Sequence, residues 1–168
     1  MPEIATLGGG CFWCVEAIFS TLVGVSRVQV GYCNGKRPNP TYEIVCSGNS
    51  GFAEVAQISF DSNLISFKQL LEHFFRTHDP TTLNKQGADA GTQYRSGIFY
   101  HDKNQKGVAM RVIDKLNKGR VYADPIVTEV IPLENYYPAE DYHQDYYKNN
   151  QSAPYCMLVI KPKLDKIK

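Results

Sequence analysis

The sequence predicts an α+β fold, a two-layer sandwich in which helices flank a mixed β-sheet. The first observation is the length of 168 residues, which suits one domain with a core of its own. The second is that no internal repeat, low-complexity tract or long linker divides the chain. The third is that strand-like and helix-like segments are mixed without strict βαβ alternation. We therefore expect residues 1–168 to form a single domain, with a frayed basic tail over 161–168.

The first predicted elements surround a run of three glycines. The apolar run 4–7 predicts a strand, which Gly8-Gly9-Gly10 ends. The next residues predict a helix, because four apolar side chains keep the i, i+3, i+4, i+7 spacing: Val15, Ile18, Phe19 and Leu22. Gly24 then leads into a strand over 25–30, and two prolines mark 36–42 as a loop.

The middle of the chain predicts a strand, a capped helix and a long polar loop. The strand covers 52–60. Ser66 and Gln69 form the pattern of a capping box for the helix, which stops before Pro80. Residues 80–97 are polar and contain three glycines, and a loop of this length within a compact domain is usually functional or mobile.

The C-terminal part predicts strands and helices in alternation. Residues 98–100 predict a strand, and 105–118 predict a helix with four inward-facing apolar side chains that ends at Gly119. A strand over 126–133 precedes a short helix over 138–149 that is rich in tyrosine and acid.

Composition and charge argue against several classes of partner. The formal net charge is +1 and 43% of the residues are hydrophobic, so electrostatics favours neither a nucleic acid nor a membrane surface. No run reaches the roughly 18 apolar residues of a spanning helix. The N-terminus also lacks the charged segment and apolar stretch of a secretory signal. We expect a monomeric, cytoplasmic protein that binds neither nucleic acid nor membrane.

The cysteines indicate transient rather than structural disulfides. The chain has five: Cys11, Cys14, Cys33, Cys46 and Cys156. They are too scattered for the disulfide framework of a secreted protein, and in a reducing compartment they rest as thiols. The first two could form half of a zinc site, but the chain has no second CxxC or HxxxH pair. We expect no metal, and packing roles for the third and fourth.

Residues 8–16 are the strongest indication of catalysis. The glycine turn places Cys11 at a helix N-terminus, where unpaired N–H groups and the helix dipole stabilise a thiolate. Trp13, the only tryptophan, adds an aromatic wall two residues later. Because Cys14 is three residues from Cys11, the two lie about 5–6 Å apart, within disulfide reach. Packing as a small buried side chain is the alternative for Cys14.

Glu54 is the second candidate, and its position in the strand 52–60 is the reason. Successive side chains of a strand point to opposite faces, and Glu54 is an even number of residues from Ala56, Ile58 and Phe60. It therefore lies with them on the more apolar face. Burial there raises a carboxyl pKa, and a carboxyl that stays protonated near neutrality is a general acid. The alternative is a glutamate at a strand end that reaches solvent.

Tyrosine is abundant, with eleven copies, and several lie beside glycine or acid rather than on periodic core positions. Tyr42, Tyr94 and Tyr146 are examples. Their hydroxyls could bind a polar substrate oxygen while their rings line an apolar pocket, although half-buried surface positions are the alternative. Asp89, between two glycines, is either a turn residue or an acid in the pocket.

Several motifs together resemble a known family. In chain order they are Gly10-Cys11-Phe12-Trp13 with Glu16, Gly31-Tyr32, Tyr42-Glu43, Gly51-x-Ala53-Glu54-Val55, Gly91-Thr92-Gln93-Tyr94-Arg95-Ser96 and Glu140-Asp141-Tyr142-His143-Gln144. They are similar to those of A-type peptide methionine sulfoxide reductases, from about residue 4 to 163. The resemblance implies one catalytic domain that reduces the S epimer of methionine sulfoxide, free or in proteins. It also implies thioredoxin or another dithiol as reductant, and no metal or organic cofactor.

The resemblance also implies roles for individual residues. Cys11 is the nucleophile, and Glu54 is the acid that acts on the sulfoxide oxygen. Phe12 and Trp13 form the apolar pocket for the substrate methyl group. Four residues line or support the site: Tyr42, Asp89, Tyr94 and Tyr146. Cys156 corresponds to the C-terminal resolving cysteine that is common in the family.

Three departures from the family pattern affect the site. Position 14 is often glycine but is cysteine here, so Cys14 is a second resolving thiol beside Cys156. We expect Cys14 to form the first disulfide, with Cys156 able to exchange into it. Phe52 replaces a frequent histidine, and the chain lacks a glycine-rich cysteine tail. Residues 157–160 are apolar enough to be a strand.

Two other functions are possible from the residues. A thioredoxin-like disulfide oxidoreductase would explain the CxxC at a helix start, but it needs an early βαβ unit and gives Glu54 no role. A non-catalytic zinc-binding module would use Cys11 and Cys14 as ligands. Sulfoxide reduction gives a role to more of the candidate residues than either alternative. The substrate sulfur becomes electrophilic only when an acid or phenolic donors act on its oxygen.

Overall fold

The chain forms eight strands, six of them side by side in one mixed sheet, in a computed structural model that describes residues 3–167. The strands are β1 (Glu3–Gly8), β2 (Val25–Cys33), β3 (Ala53–Phe60), β4 (Lys85–Gln86), β5 (Asp89–Ala90), β6 (Gly97–Tyr100), β7 (Glu129–Pro132) and β8 (Tyr136–Pro138). The sheet order is β7-β6-β1-β3-β2-β8, and only the pair β6–β7 is parallel. Strands β4 and β5 form a separate hairpin.

The helices supply the second layer. They are α1 (Phe12–Phe19), α2 (Tyr42–Cys46), α3 (Phe67–Thr77), α4 (Lys103–Lys118), α5 (Tyr146–Asn149) and α6 (Lys161–Ile167), with a π-helical turn over Cys156–Ile160 directly before α6. Within residues 3–167, none of the helices combines the length and the apolar character that crossing a membrane requires.

Alternation along β3 separates the two faces of the sheet. Ala56, Ile58 and Phe60 belong to the main core, which the apolar sides of α1, α3 and α4 complete. Ala53 and Val55 belong to a much smaller cluster on the opposite face. The predicted α+β class, with helices against a mixed sheet, is confirmed.

Most predicted elements occur near their predicted positions, and the capping box of α3 is an example. The Gln69 N–H donates to Ser66 Oγ at 3.1 Å, and the Ser66 N–H donates to Gln69 Oε1 at 2.9 Å. Helix α4 begins slightly earlier than predicted, because Asp102 caps it by accepting from the Gln105 N–H at 2.8 Å.

The predicted helix over 138–149 is wrong for most of its length. Tyr136–Pro138 pairs with β2, Asp141–His143 forms a single 3₁₀ turn, and only α5 is α-helical. The side chain of Gln144 donates to the Val30 carbonyl at 2.9 Å and accepts from the Val30 N–H at 3.0 Å. Hydrogen bonds to the edge of β2 therefore replace a helical ladder in this segment.

The C-terminal predictions are also wrong, both the strand over 157–160 and the frayed tail over 161–167. Cys156 and Ile160 are buried four residues apart, and Leu164 continues the same helical stripe into the core. Pro162 has no N–H for the helical ladder, and the wider π turn ends two residues before it, at Ile160. Lys168, the last residue of the predicted tail, lies outside the described residues.

Candidate active site

The three glycines bring Cys11 close to β3 and α3. A Cβ on Gly8 would lie 3.0 Å from the Glu54 carbonyl oxygen, and a Cβ on Gly9 would lie 3.0 Å from the Phe74 ring. Gly10 has a φ of +88°, which favours glycine. Cys11 follows as the N-cap of α1, and its carbonyl accepts from the Cys14 N–H at 3.1 Å. The predicted position at a helix N-terminus is confirmed.

The resting state of Cys11 differs from the sequence expectation. Its side chain is only 8% exposed, and burial raises the pKa of the thiol well above its usual value. The charge of Glu54 and then that of Cys14 add to this effect, while the Trp13 backbone N–H opposes it. Burial therefore outweighs the helix N-terminus, and Cys11 rests as a neutral thiol rather than as a thiolate.

Glu54 lies on the apolar face of β3, as its parity predicts, and its side chain is 1% exposed. Burial raises the pKa of the carboxyl to about 8, although the Phe12 N–H that donates to Oε1 at 3.2 Å opposes the shift. The second carboxyl oxygen, Oε2, is buried without a hydrogen-bond partner among the described residues. The group is therefore a neutral acid at pH 7 with one unused oxygen.

Aromatic rings pack around Trp13. The ring of Tyr146 stacks on the indole at a centroid distance of 3.7 Å and an interplanar angle of 9°. Tyr155 meets the same indole edge-on at 5.7 Å, and the indole N–H donates to His143 Nδ1 at 3.1 Å. Phe12, the other predicted pocket residue, is fully buried and packs 5.2 Å from the His143 ring.

Asp89 is connected to Cys14 through Tyr155. The Tyr155 hydroxyl donates to Asp89 Oδ2 at 2.6 Å and lies 3.7 Å from Cys14 Sγ. Burial raises the pKa of the Cys14 thiol, while the charge of Lys163 and the hydrogen bond to Tyr155 oppose the shift. The hairpin that carries Asp89 and the segment before Cys156 therefore meet at α1.

Tyr42 and Tyr94 are half-buried near Glu54. Burial raises the pKa of both phenols, and the charge of Glu54 contributes to each shift. Both hydroxyls consequently stay protonated and can donate hydrogen bonds on the side of the site where Glu54 lies. The ring of Tyr42 also packs 4.5 Å from that of His143.

Cys156 is fully buried in the π-helical turn. It is close enough to Cys14 for its charge to raise the pKa of that thiol. All five cysteines are free thiols in the described residues. Cys33 packs in the small cluster behind the sheet, as predicted, whereas Cys46 lies half-buried beside Tyr42.

Four residues at this site have no role in the sequence analysis. They are Glu16, Glu140, His143 and Tyr155. Glu140 accepts from the Tyr32 hydroxyl at 2.8 Å and from the Tyr42 N–H at 3.0 Å. Glu16, Glu140 and His143 belong to motifs on which the family resemblance rests, and those motifs were the available signal. Within residues 3–167, no group of three or more His, Cys, Asp or Glu side chains is arranged to hold a metal ion.

Comparisons with known proteins agree across the whole chain. The family model described as "Peptide methionine sulfoxide reductase" matches residues 3–168. A relative from Chromobacterium violaceum, "Peptide methionine sulfoxide reductase MsrA", is 56% identical over 166 residues, 99% of this chain and 94% of that protein. The protein of the same name from Trichodesmium erythraeum is 52% identical over 168 residues, 100% of this chain and 95% of that protein.

Solved structures are similar as well. The crystal structure of Mxr1 from Saccharomyces cerevisiae in reduced form has a TM-score of 0.86 and 37% identity, covering 92% of this chain and 89% of that one. Mxr1 in complex with Trx2 has a TM-score of 0.61 and 26% identity, covering 86% of this chain and 84% of that one.

Proposed function

The chain belongs to the peptide methionine sulfoxide reductase family, and we propose that it reduces methionine-S-sulfoxide, free or in proteins, to methionine. One observation carries the proposal for the chemistry. Glu54 is a buried neutral acid whose Oε2 has no partner among the described residues, and it lies near enough to Cys11 for its ionised form to raise the pKa of that thiol. A sulfoxide oxygen is the polar group that such an acid can bind.

The first step combines an acid and a nucleophile. Glu54 gives its proton to the sulfoxide oxygen, which makes the sulfur electrophilic, and Cys11 attacks as its own proton returns to the Glu54 carboxylate. Oxygen passes from the substrate sulfur to the cysteine sulfur, so that sulfoxide and thiol become methionine and a sulfenic acid. The neutral resting states of both groups fit this exchange, because the site needs no buried charge before substrate arrives.

The aromatic rings supply the apolar part of the binding site. The stacked pair Trp13 and Tyr146 forms a flat wall for the substrate methyl group, and the buried Phe12 packs on the His143 ring that also contacts Trp13. The protonated hydroxyls of Tyr42 and Tyr94 are the proposed hydrogen-bond donors to the oxygen, and Asp89 supports the site by holding Tyr155. Together these groups distinguish the methyl side of the sulfoxide from its oxygen side, which is the basis for selecting one epimer.

The sulfenic acid is then removed by a second thiol. Cys14 condenses with it, which forms a disulfide with Cys11 and releases water. Cys156 attacks the Cys14 sulfur, so the disulfide moves to Cys14–Cys156 and Cys11 is released as a thiol. The placement of Cys14 one helical turn from Cys11 supports this order, as does the contact between α1 and the π-helical turn that carries Cys156.

Thioredoxin completes the cycle in this proposal. It supplies two electrons and two protons that return the disulfide to two thiols. The structure of the yeast relative in complex with Trx2 supports a reductant of this class. The reaction needs no metal or organic cofactor, since every electron comes from a thiol, and a reducing cytoplasm would keep the five cysteines in their free form.

A stereospecific assay tests the function. The protein is incubated with dithiothreitol and with a peptide that carries one epimer of methionine sulfoxide, and the product is read by mass. We expect the S epimer to lose one oxygen and the R epimer to stay unchanged. Equal conversion of both epimers, or of neither, would exclude the proposed activity.

A further inference from the structure

Glu16 is a buried carboxylate in α1 that the reaction scheme does not use. Its side chain is 3% exposed and faces the segment that leads into α5. Oε2 accepts from the Asp145 N–H at 3.0 Å, and Oε1 accepts from the Tyr146 N–H at 3.3 Å. One carboxylate thus holds two successive backbone N–H groups of a segment about 130 residues away in sequence.

The backbone at this contact is strained. Asp145 has a φ of 53° and a ψ of 34°, the left-handed region that non-glycine residues seldom occupy. Its own side chain makes no capping hydrogen bond to α5. The left-handed conformation of Asp145 directs its own N–H and that of Tyr146 toward the same point, and the Glu16 carboxylate occupies that point. The contact therefore stabilises a conformation that would otherwise be unfavourable.

This strained turn determines where the Tyr146 ring lies. The ring stacks on Trp13, and Trp13 is three residues before Glu16 in the same helix, so both side chains project on one side of α1. Helix α1 consequently contacts Tyr146 twice, at the ring through Trp13 and at the backbone N–H through Glu16. Both contacts start from the helix whose N-cap is Cys11.

We infer that Glu16 is a positioning residue for substrate binding, which acts by fixing Tyr146 against Trp13. This inference rests on the proposed function, in which these two rings form the wall for the substrate methyl group. Burial of a carboxylate is unfavourable in itself, and burial raises the pKa of Glu16 to about 7 although both N–H groups oppose the shift. An apolar side chain would fill the same space without that penalty but could not hold the two N–H groups.

The test compares Glu16→Gln, Tyr146→Ala and the double variant, with KM and kcat measured for an S-sulfoxide peptide and dithiothreitol. The glutamine has only one acceptor oxygen, so it releases one of the two N–H groups. We expect Glu16→Gln to raise KM by about tenfold with kcat changed less than about threefold. The double variant should be no worse than Tyr146→Ala, because residues that act through one contact are not additive.

Two controls separate positioning from a general loss of structure. Ser66→Ala removes the capping box of α3 and should leave KM unchanged. Fluorescence of Trp13, the only tryptophan, should change in Glu16→Gln but not in Ser66→Ala. Glu16→Asp keeps the charge on a shorter side chain, so its KM should lie between those of the unchanged protein and Glu16→Gln. It also serves as the test if the glutamine variant does not fold.

The outcomes are distinguishable. Additive effects of the two substitutions on KM, or unchanged fluorescence and KM in Glu16→Gln, would overturn the positioning role. If Tyr146→Ala itself leaves KM unchanged while the protein still reduces the S epimer, the aromatic wall is wrong and the Glu16 inference falls with it. Loss of stereospecific reduction by the unchanged protein would instead reject the proposed function.

Discussion

At the scale of single residues, Glu54 is an ionisable residue at a buried position that disfavours its charged form. The strand alternation that buries Ala56 and Ile58 also buries this carboxyl, and burial raises its pKa to about 8. The protein therefore keeps an acid in its protonated form at neutral pH through the pattern of one strand. Replacing this carboxyl should therefore lower the activity, but it should raise the relative stability of the protein at high pH.

The activity prediction concerns Glu54→Gln. A positioned general acid contributes about 10²–10⁴-fold to a rate, so the first turnover should slow by that order because glutamine cannot give a proton to the oxygen. Quench-flow measurement of methionine release checks this, with circular dichroism to confirm that the fold is kept. A first-turnover rate within a few-fold of the unchanged protein would make Glu54 a structural residue.

The stability prediction uses the same substitution. The pKa of Glu54 rises from 4.5 to about 8 on folding, so its stabilising contribution is complete below pH 4.5 and is lost as pH rises through about 8. Glu54→Gln should consequently gain stability relative to the unchanged protein as pH increases from 5 to 9. Each unit of pKa shift is about 1.4 kcal/mol, and each kcal/mol moves Tm by about 2–4 °C for a chain of this size.

Thermal unfolding at pH 5, 7 and 9 measures that difference directly. Glu16, whose pKa is also raised by burial, stays in both proteins and cancels in the comparison. A Tm difference that is the same at all three pH values would mean that the Glu54 carboxyl is not held neutral by the fold.

At the scale of elements, the two proposed resolving thiols belong to two different helical segments. Cys14 lies in the first turn of α1, one turn from Cys11, whereas Cys156 is fully buried in the π-helical turn before α6. We expect Cys156 to reach Cys11 only if that turn opens, because the residue is fully buried, whereas Cys14 is one helical turn from Cys11. The first disulfide should therefore be Cys11–Cys14.

Trapping the protein after one equivalent of substrate and mapping the disulfide by peptide mass checks this order. We expect the Cys11–Cys14 bond to form at an unchanged rate in Cys156→Ser, and disulfide formation to slow in Cys14→Ser. A Cys11–Cys156 bond that forms at the normal rate in Cys14→Ser would show that Cys14 is dispensable.

Helix α6 offers a second prediction at this scale. Leu164 is 9% exposed and belongs to the main core, so Leu164→Ala should destabilise the protein by about 2–5 kcal/mol. Leu158, in the neighbouring π turn, is 77% exposed, and Leu158→Ala should change stability by less than about 0.5 kcal/mol. Urea unfolding of both variants makes the comparison, and equal effects would mean that α6 does not pack on the core as described.

At the scale of the whole molecule, sequence patterns predict those structural features that depend only on residues close together in the chain. The period of β3 correctly placed Glu54 on the core face, and the glycine run correctly placed Cys11 at a helix start. The charge state of Cys11 could not be predicted, because burial by distant parts of the chain outweighs the local effect of the helix. Sequence patterns therefore predict the positions of these two proposed reacting groups more reliably than their resting protonation states.

Contacts between segments that are distant in the chain cannot be predicted from local sequence patterns. His143 and Tyr155 reach the site only when the chain after β8 folds back onto α1, and the Gln144 side chain holds that segment on β2. The same tertiary hydrogen bonds explain why the predicted helix over 138–149 is largely absent. Helix α6 is difficult to predict for a related reason: it is rich in lysine, and Leu164 is the one buried side chain among residues 161–166.

In the proposed mechanism, Cys11 itself takes the oxygen from the substrate. The direct measurement is a single turnover of Cys14→Ser/Cys156→Ser, in which no predicted resolving thiol remains, followed by mass analysis with a reagent that traps sulfenic acids. We expect one methionine per protein chain and a trapped adduct on Cys11, and neither product when Cys11→Ser is added. Methionine formation that persists in the variant without Cys11, or an adduct on another cysteine, would contradict it.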